Sequence, residues 1–377
     1  MPGPDEPLRR AKDYQKIKQV LTLWNLGLTP LLILIPAVTP LSGLFYSWAS
    51  SVIGCRYGAL AFYFMFLSLF FMIFDLPLSF YSGYMLEHRF KLSNLTLKGW
   101  GGVFVKKALL SFGLSLALLE GLYALIWNFP ERWWIFAWVC YAGVSYGIGK
   151  LFPVLIVPIF YQYSPLENPE LKDRILKMAG RYGMPVENVY SLNLSKTTKK
   201  ANAAFMGLGR TKRVVLSDTL LKDFTPDEVE TVVAHELGHY VHRDIWKHLA
   251  VSLATSFAAF WIVFQTAGPL CEKMGYCGPA DVAAMPVLFL VFYFFSLMLT
   301  PFQSALGRWM ERAADRFSLE AFPHPAAFIS AMNKLGAMNL ADPSPHPLYE
   351  WFFYDHPAIP KRVRMAEQWK VGKEIKP

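Results

Sequence analysis

The sequence predicts a mainly α-helical, multi-pass membrane protein that carries a small α+β unit outside the bilayer. Three observations predict it. Six stretches are long and apolar enough to cross lipid. Only 17% of the 377 residues are charged, against about 25% in an ordinary soluble chain. The two longest polar stretches, 161–248 and 307–377, together have the size of one ordinary domain. Apolar residues make up 54% of the chain and aromatic residues 16%, which excludes disorder and argues against a purely soluble protein.

A lipid-spanning helix needs about 20 apolar residues, because a rise of about 1.5 Å per residue must cross roughly 30 Å of hydrocarbon. The stretches 19–37, 57–80, 105–128, 133–160, 249–270 and 282–306 meet that requirement. They divide the chain into a basic arm (1–18), four spans within 19–160, a polar part (161–248), two spans within 249–306 and a second polar part (307–377). The arm is polar, and 19–37 lacks a small-residue cleavage site at its end, so it does not read as a secretory signal. Within the first polar part, Glu170 to Tyr182 has helical periodicity, with Asn168 as cap and Pro169 in the first turn. Val189–Leu194, Arg213–Leu216 and Ala203–Met206 read as short strands.

The net charge is +9, with basic residues gathered between the apolar runs. A nucleic-acid partner would need a continuous basic face, so this pattern points to a lipid bilayer and not to nucleic acid. Arg9, Arg10, Lys12, Lys16 and Lys18 lie in the arm, and Arg89, Lys91, Lys98, Lys106 and Lys107 in the loop 87–107. The loops 38–56, 129–132 and 271–281 offer only Arg56, Arg132 and Lys273. Positive charge is retained on the cytosolic side, so both termini and both polar parts are expected there. Asp75, Glu120 and Lys150 fall inside spans. Facing lipid each would cost several kcal/mol, so they should line a wet cavity, pair within the bundle or snorkel to the interface. Four cysteines form neither a disulfide framework nor a thiolate metal site. Cys271 and Cys277, in one loop predicted to face away from the cytosol, are either a pair or free thiols.

Thr225-Pro226-Asp227-Glu228 announces a helix: threonine caps, proline fits the first turn and glutamate closes a capping box. That helix runs on into His235-Glu236-Leu237-Gly238-His239. At spacing i,i+4 the imidazoles share a face and can hold one metal ion, for which zinc is expected, with a coordination position left for water. Glu236, one residue along, is placed as general base toward that water. The alternative is an amphipathic helix with surface histidines, but Val232, Val233, Ala234 and Leu237 make the surroundings apolar, and burying such groups without a partner is costly. Past the sixth span, Glu311 and Asp315 also stand at i,i+4. Glu311 can be the third ligand, and Asp315 can accept the second ring N–H of a ligand histidine. His242, three residues beyond His239, is the rival ligand.

His235-Glu236-x-x-His239 followed by Glu311-x-x-Ala-Asp315 resembles the CAAX prenyl protease 1 family, gluzincin-type integral membrane zinc metalloproteases. The likeness extends over roughly residues 8 to 368. Asp75-Leu-Pro-Leu-Ser-Phe-Tyr81 with Glu87 and Phe90, the run Phe160 to Leu166, Asn202-Ala203-Ala204-Phe205 with Arg213 to Thr219, and His356-Pro357 with Arg362 all look like elements of that family. The resemblance implies one zinc per chain and a peptide bound as a strand at Asn202, Ala203, Ala204 and Phe205. It further implies His356 and Asn202 as donors to the oxyanion, and Arg362 as a brace of the C-terminal element. His324-Pro325 and His346-Pro347 lack an arginine at the same spacing and read as turns.

Two departures stand out. The family usually has seven membrane helices, and this chain begins at what looks like the second, as expected of a shortened prokaryotic version in a bacterial or archaeal inner membrane rather than the endoplasmic reticulum. Asp355 precedes His356-Pro357 where the family usually has serine. The expected function is a zinc endopeptidase cutting near the C-terminus of prenylated or other membrane-associated peptides. The rivals are a quality-control protease of the same superfamily that degrades misfolded membrane proteins, and a transporter or scaffold holding a structural zinc.

Overall fold

A computed structural model describes residues 6–184, 186, 188–207 and 212–374, the last five for backbone alone. Among the described residues, six helices are long and apolar enough to cross a membrane. In chain order the first are α1 (Glu6–Val38), a short α2 (Leu41–Val52), α3 (Arg56–Arg89), α4 (Leu97–Asn128) and α5 (Trp133–Phe160). Wide π-turns over Tyr81–Met85 in α3 and Phe152–Ile156 in α5 follow or contain prolines (Pro77, Pro153). A proline has no N–H to give the ladder, so its helix must widen or bend there. The fold is that of a mainly helical membrane protein with a small sheet, as its composition predicts.

The first polar part opens on β1 (Tyr163–Pro165), then α6 (Pro169–Arg181), β2 (Val189–Leu192), β3 (Ala203–Met206), β4 (Arg213–Ser217), α7 (Asp218–Asp223) and α8 (Pro226–Val241). Asn168 caps α6 by accepting from the Leu171 N–H at 3.0 Å. The sheet order is β1-β2-β4-β3, with only β2 and β4 parallel, so β3 is an edge. Leu171, Ile175, Val189, Leu216, Val229 and Val233 close the core between sheet and helices. The chain then returns through α9 (Asp244–Lys273) and α10 (Met285–Ala321), and ends in α11 (Pro325–Met338), α12 (Pro347–Phe353) and α13 (Ile359–Glu374).

α1 begins well before its apolar stretch, so from Glu6 onward the basic arm is a helical extension of the first span. Residues 92–94 bond to 197–199, which puts the 87–107 loop at the same end as the sheet. At the other end Tyr276 Oη donates to Ala37 O (3.0 Å) and Trp127 Nε1 to Ala280 O (3.0 Å). Within the spans, Asp75 accepts from Ser79 Oγ at 2.9 Å and lines a cavity of about 680 Å³ with Lys107 and several serines. Glu120 is half-buried, and its Oε2 has no hydrogen-bond partner among the described residues. Cys271 is a buried free thiol and Cys277 an exposed one.

Candidate active site

The site is built where α8 lies against α10. The start of α8 is fixed by the Thr225–Glu228 capping box with Pro226 in the first turn. One further turn-pair along, the rings of His235 and His239 lie with centroids 4.9 Å apart. Gly238 sits between them on the face toward α10. A Cβ there would come within 2.9 Å of Ala314 Cα, so the missing side chain is what allows the two backbones to approach so closely. Ser318 Oγ donates to Thr231 O at 2.8 Å and fixes the register of the pair.

That register places Glu311 opposite both imidazoles. Its Oε2 is 3.3 Å from His235 Nε2, and its Oε1 is 3.2 Å from His239 Nε2. The three side chains offer ligand atoms that all lie within 4.8 Å of one another, and among the described residues they form the one such group. His242 stands apart, its ring packed on Phe317. His324 and His346 stand at the N-termini of α11 and α12 with proline next in line.

Each imidazole is turned by a carboxylate on its other nitrogen. His235 Nδ1 is 2.8 Å from Asp315 Oδ1, and His239 Nδ1 is 2.9 Å from Asp244 Oδ2. With Nδ1–H donated to a carboxylate, each Nε2 is turned toward Glu311, and a metal that displaced the Nε2 proton would meet the tautomer it requires. Sequence reasoning found Asp315 and missed Asp244. Asp244 reaches back because Arg243 adopts φ +57°, ending α8 and starting α9 in a new direction. Arg362, read from the sequence as a brace, also enters the site. It is buried, its Nε donates to Asp315 Oδ2 at 2.8 Å, and its Nη2 lies 3.3 Å from His235 Nδ1.

The electrostatics favour a cation. Burial alone would depress His235, but hydrogen bonds to Asp315 and Glu311 outweigh it and lift the imidazole to about 9. His239 is raised in the same way against its burial, by Glu311 and Asp244. A pocket that holds protons this firmly has gathered negative charge where a metal would sit. Glu311 Oε2 is buried beside His235 Nε2 at 3.3 Å and has no well-aligned hydrogen-bond partner among the described residues, as suits a metal-binding oxygen. The donor set of two imidazoles and one carboxylate fits a zinc-type site.

Glu236 lines two cavities at once. One, about 440 Å³, is shared with Asn202, His235 and His356; the other, about 550 Å³, with Phe205, Met206, His239 and Glu311. Burial pushes the Glu236 carboxyl up, while both imidazoles and the Phe205 N–H pull it down. His356 Nε2 is 3.0 Å from Glu311 Oε1, and its Nδ1 is 2.7 Å from Asp355 Oδ1. Burial again opposes the charge, and Asp355 and Glu311 raise His356 to about 10. Asp355 thus holds the ring where a serine would be a weaker partner. Gly307 admits it, since a Cβ there would lie 2.9 Å from Asp355 O.

Beside the site runs the β3 edge. Ser217 N–H donates to Asn202 O at 2.9 Å, and the antiparallel register pairs Ala204 with Val215. Alternation then turns the N–H and C=O of Ala203 and Phe205 away from β4, where the Phe205 N–H meets Glu236 and the other groups lie along the free edge.

Comparison with known proteins assigns this arrangement to a family. The model of peptidase family M48 matches residues 165–370, and that of the CAAX prenyl protease N-terminal region, five membrane helices, matches residues 4–162. The chain belongs to peptidase family M48. CAAX prenyl protease 1 of Saccharomyces cerevisiae is 30% identical over 77% of this chain and 68% of its own length. An uncharacterized metalloprotease of Bacillus subtilis, YhfN, is 29% identical over 95% of this chain and 85% of its own. The crystal structure of Ste24p from S. mikatae superposes with a TM-score of 0.86, covering 97% of this chain and 90% of that one at 24% identity. As an M48 member with a multi-pass membrane region, the protein is an integral membrane metalloendopeptidase.

Proposed function

We propose that this M48 peptidase uses zinc, held by His235 Nε2, His239 Nε2 and Glu311, and cuts peptides laid along β3. The observation that carries the reading is the meeting of those three side chains beside Glu236, at the divide between two cavities that share one strand edge. Bound zinc would supply a Lewis acid that polarises the scissile carbonyl and acidifies water. Glu236 accepts a proton from the attacking water and returns it to the leaving amine, a role suited to a carboxyl pushed up by burial. His356, kept cationic by Asp355, and Asn202 donate to the developing oxyanion; one such donor is typically worth about 3–4 kcal/mol. Asp315 and Arg362 hold His235 in its tautomer. Ala203 to Phe205 pair with the substrate backbone by strand addition.

The substrate is a membrane-associated peptide, with a prenylated C-terminal segment favoured by the relatives' printed names. Both basic clusters lie at the sheet's end of the bundle, which supports a cytosol-facing active site, and the likeness to the Bacillus subtilis metalloprotease favours a prokaryotic inner membrane. The test is zinc analysis and cleavage assays on wild type and Glu236→Gln. The variant should retain zinc and lose at least about 1,000-fold in kcat. A Glu236→Gln protein that still cleaves would sink the assignment. A farnesylated peptide and its unprenylated twin cut equally well would favour the quality-control role instead.

A further inference from the structure

The N-terminal arm has no part in the chemistry above, yet it touches the cleft. Tyr14, only 1% exposed, packs with Ala11, Leu86, Phe90, Leu92 and Leu340. Its hydroxyl donates to Glu87 Oε1. Lys200 Nζ completes the node, 3.0 Å from Tyr14 Oη and 2.9 Å from Glu87 Oε2. Lys200 lies two residues before Asn202. Its carbonyl is 2.8 Å from Thr219 Oγ1, which is 2.9 Å from Ser217 Oγ, the acceptor of the Asn202 N–H. The segment entering β3 is therefore held from both sides: by β4 and α7 behind, and by α1 and α3 in front.

The next residue of α1 goes further. Gln15 donates to Leu340 O at 2.6 Å and lines the same cavity as Asn202, Glu236, His356 and Asp342. Gln19, one turn on, donates to Asp342 at 3.2 Å. A helix that only anchored the chain in lipid would have no reason to bury a tyrosine beside an ion pair at the segment that leads through Asn202 into β3.

Resting on the peptidase reading, we propose that Tyr14 is a positioning residue of the cleft, acting through Glu87 and Lys200 to set Asn202 and the entry of β3. The first membrane helix thereby forms a wall of the peptide-binding groove. Tyr14→Phe keeps the ring and its packing and removes only the hydroxyl that binds Glu87 and Lys200. With a fluorescence-quenched farnesylated peptide, it should lower kcat/KM about 10-fold, but less than about 2-fold when Asn202 is already alanine, because the two act in series. Lys200→Met should give the same pattern, and Lys200→Arg should recover most of the loss. Zinc content should stay at wild-type level. In the Glu236→Gln protein, Tyr14→Phe should weaken binding of the uncleaved peptide by the same factor as KM rises. Equal losses in the Asn202 and Asn202→Ala backgrounds, or no loss at all, would overturn the inference while leaving the peptidase reading intact. Wild-type protein that neither binds nor cleaves the peptide overturns both.

Discussion

On the His235 side of the proposed metal site everything is buried and everything comes from far away in the sequence. Asp315 and Arg362, 1% and 8% exposed, reach His235 from α10 and α13. On the His239 side the support is local and wetter. Asp244 follows His239 by five residues, and its second oxygen is 2.9 Å from Lys247 Nζ, on a side chain open to solvent. Two chemically alike imidazoles one turn apart thus depend on different parts of the molecule: one on the assembly of the whole domain, the other on a single bend in the chain. A buried ion pair stripped of one member leaves an uncompensated charge, whereas a solvated one relaxes into water.

The comparison predicts unequal losses. Asp315→Ala should weaken metal affinity about 100-fold, since it frees the His235 ring and strands Arg362. Titration against a competing chelator measures this, and a loss no larger than that of Asp244→Ala would break the contrast. Gly238→Ala tests the contact on which both sides rest. The added methyl must move Ala314, which should cost about 1–3 kcal/mol in thermal unfolding and loosen both histidines together. Asp244→Ala should weaken metal binding about 10-fold, at the low end for a carboxylate behind a ligand histidine, and Asp244→Asn should recover part of it.

The smallest effect concerns the root of α8. Glu228 is buried, and burial alone would raise its carboxyl. Hydrogen bonds from Lys334, Ser330 and the Thr225 N–H outweigh this and hold it below the usual range. A carboxyl with a depressed native pKa stabilises the fold fully above its unfolded value of about 4.3 and loses that contribution as the pH falls through the lowered one. Unfolding followed from pH 6 to pH 3 should therefore show a slope that Glu228→Gln flattens. An unchanged slope would mean that the α8–α11 tether carries no charge-linked stability.

What could be read from the sequence depended on the range of the cause. The spans were legible because lipid imposes length and apolarity on contiguous residues. So were His235 and His239, whose shared face follows from helix geometry, and the Thr225 box, which is four residues long. Asp315 was legible because it repeats the i,i+4 logic behind Glu311. Asp244 was hidden by Arg243, whose left-handed backbone no residue type announced. The need for glycine at 238 is set by the closeness of α10, which the motif alone does not tell. The brace role of Arg362 is what the resemblance implies; its contact with Asp315 and His235 depends on how α13 lies against α10, which a linear sequence does not tell. The arm reads in the sequence as a basic, polar stretch; its docking rests on Tyr14 finding Glu87 and Lys200, partners 73 and 186 positions away.

Glu311 stands on the same unbroken rod, Met285–Ala321, as the last apolar span. A chain that ends at residue 284 carries the two imidazoles without Glu311, so the proposed three-sided site is complete only once the helix of the final span has been made.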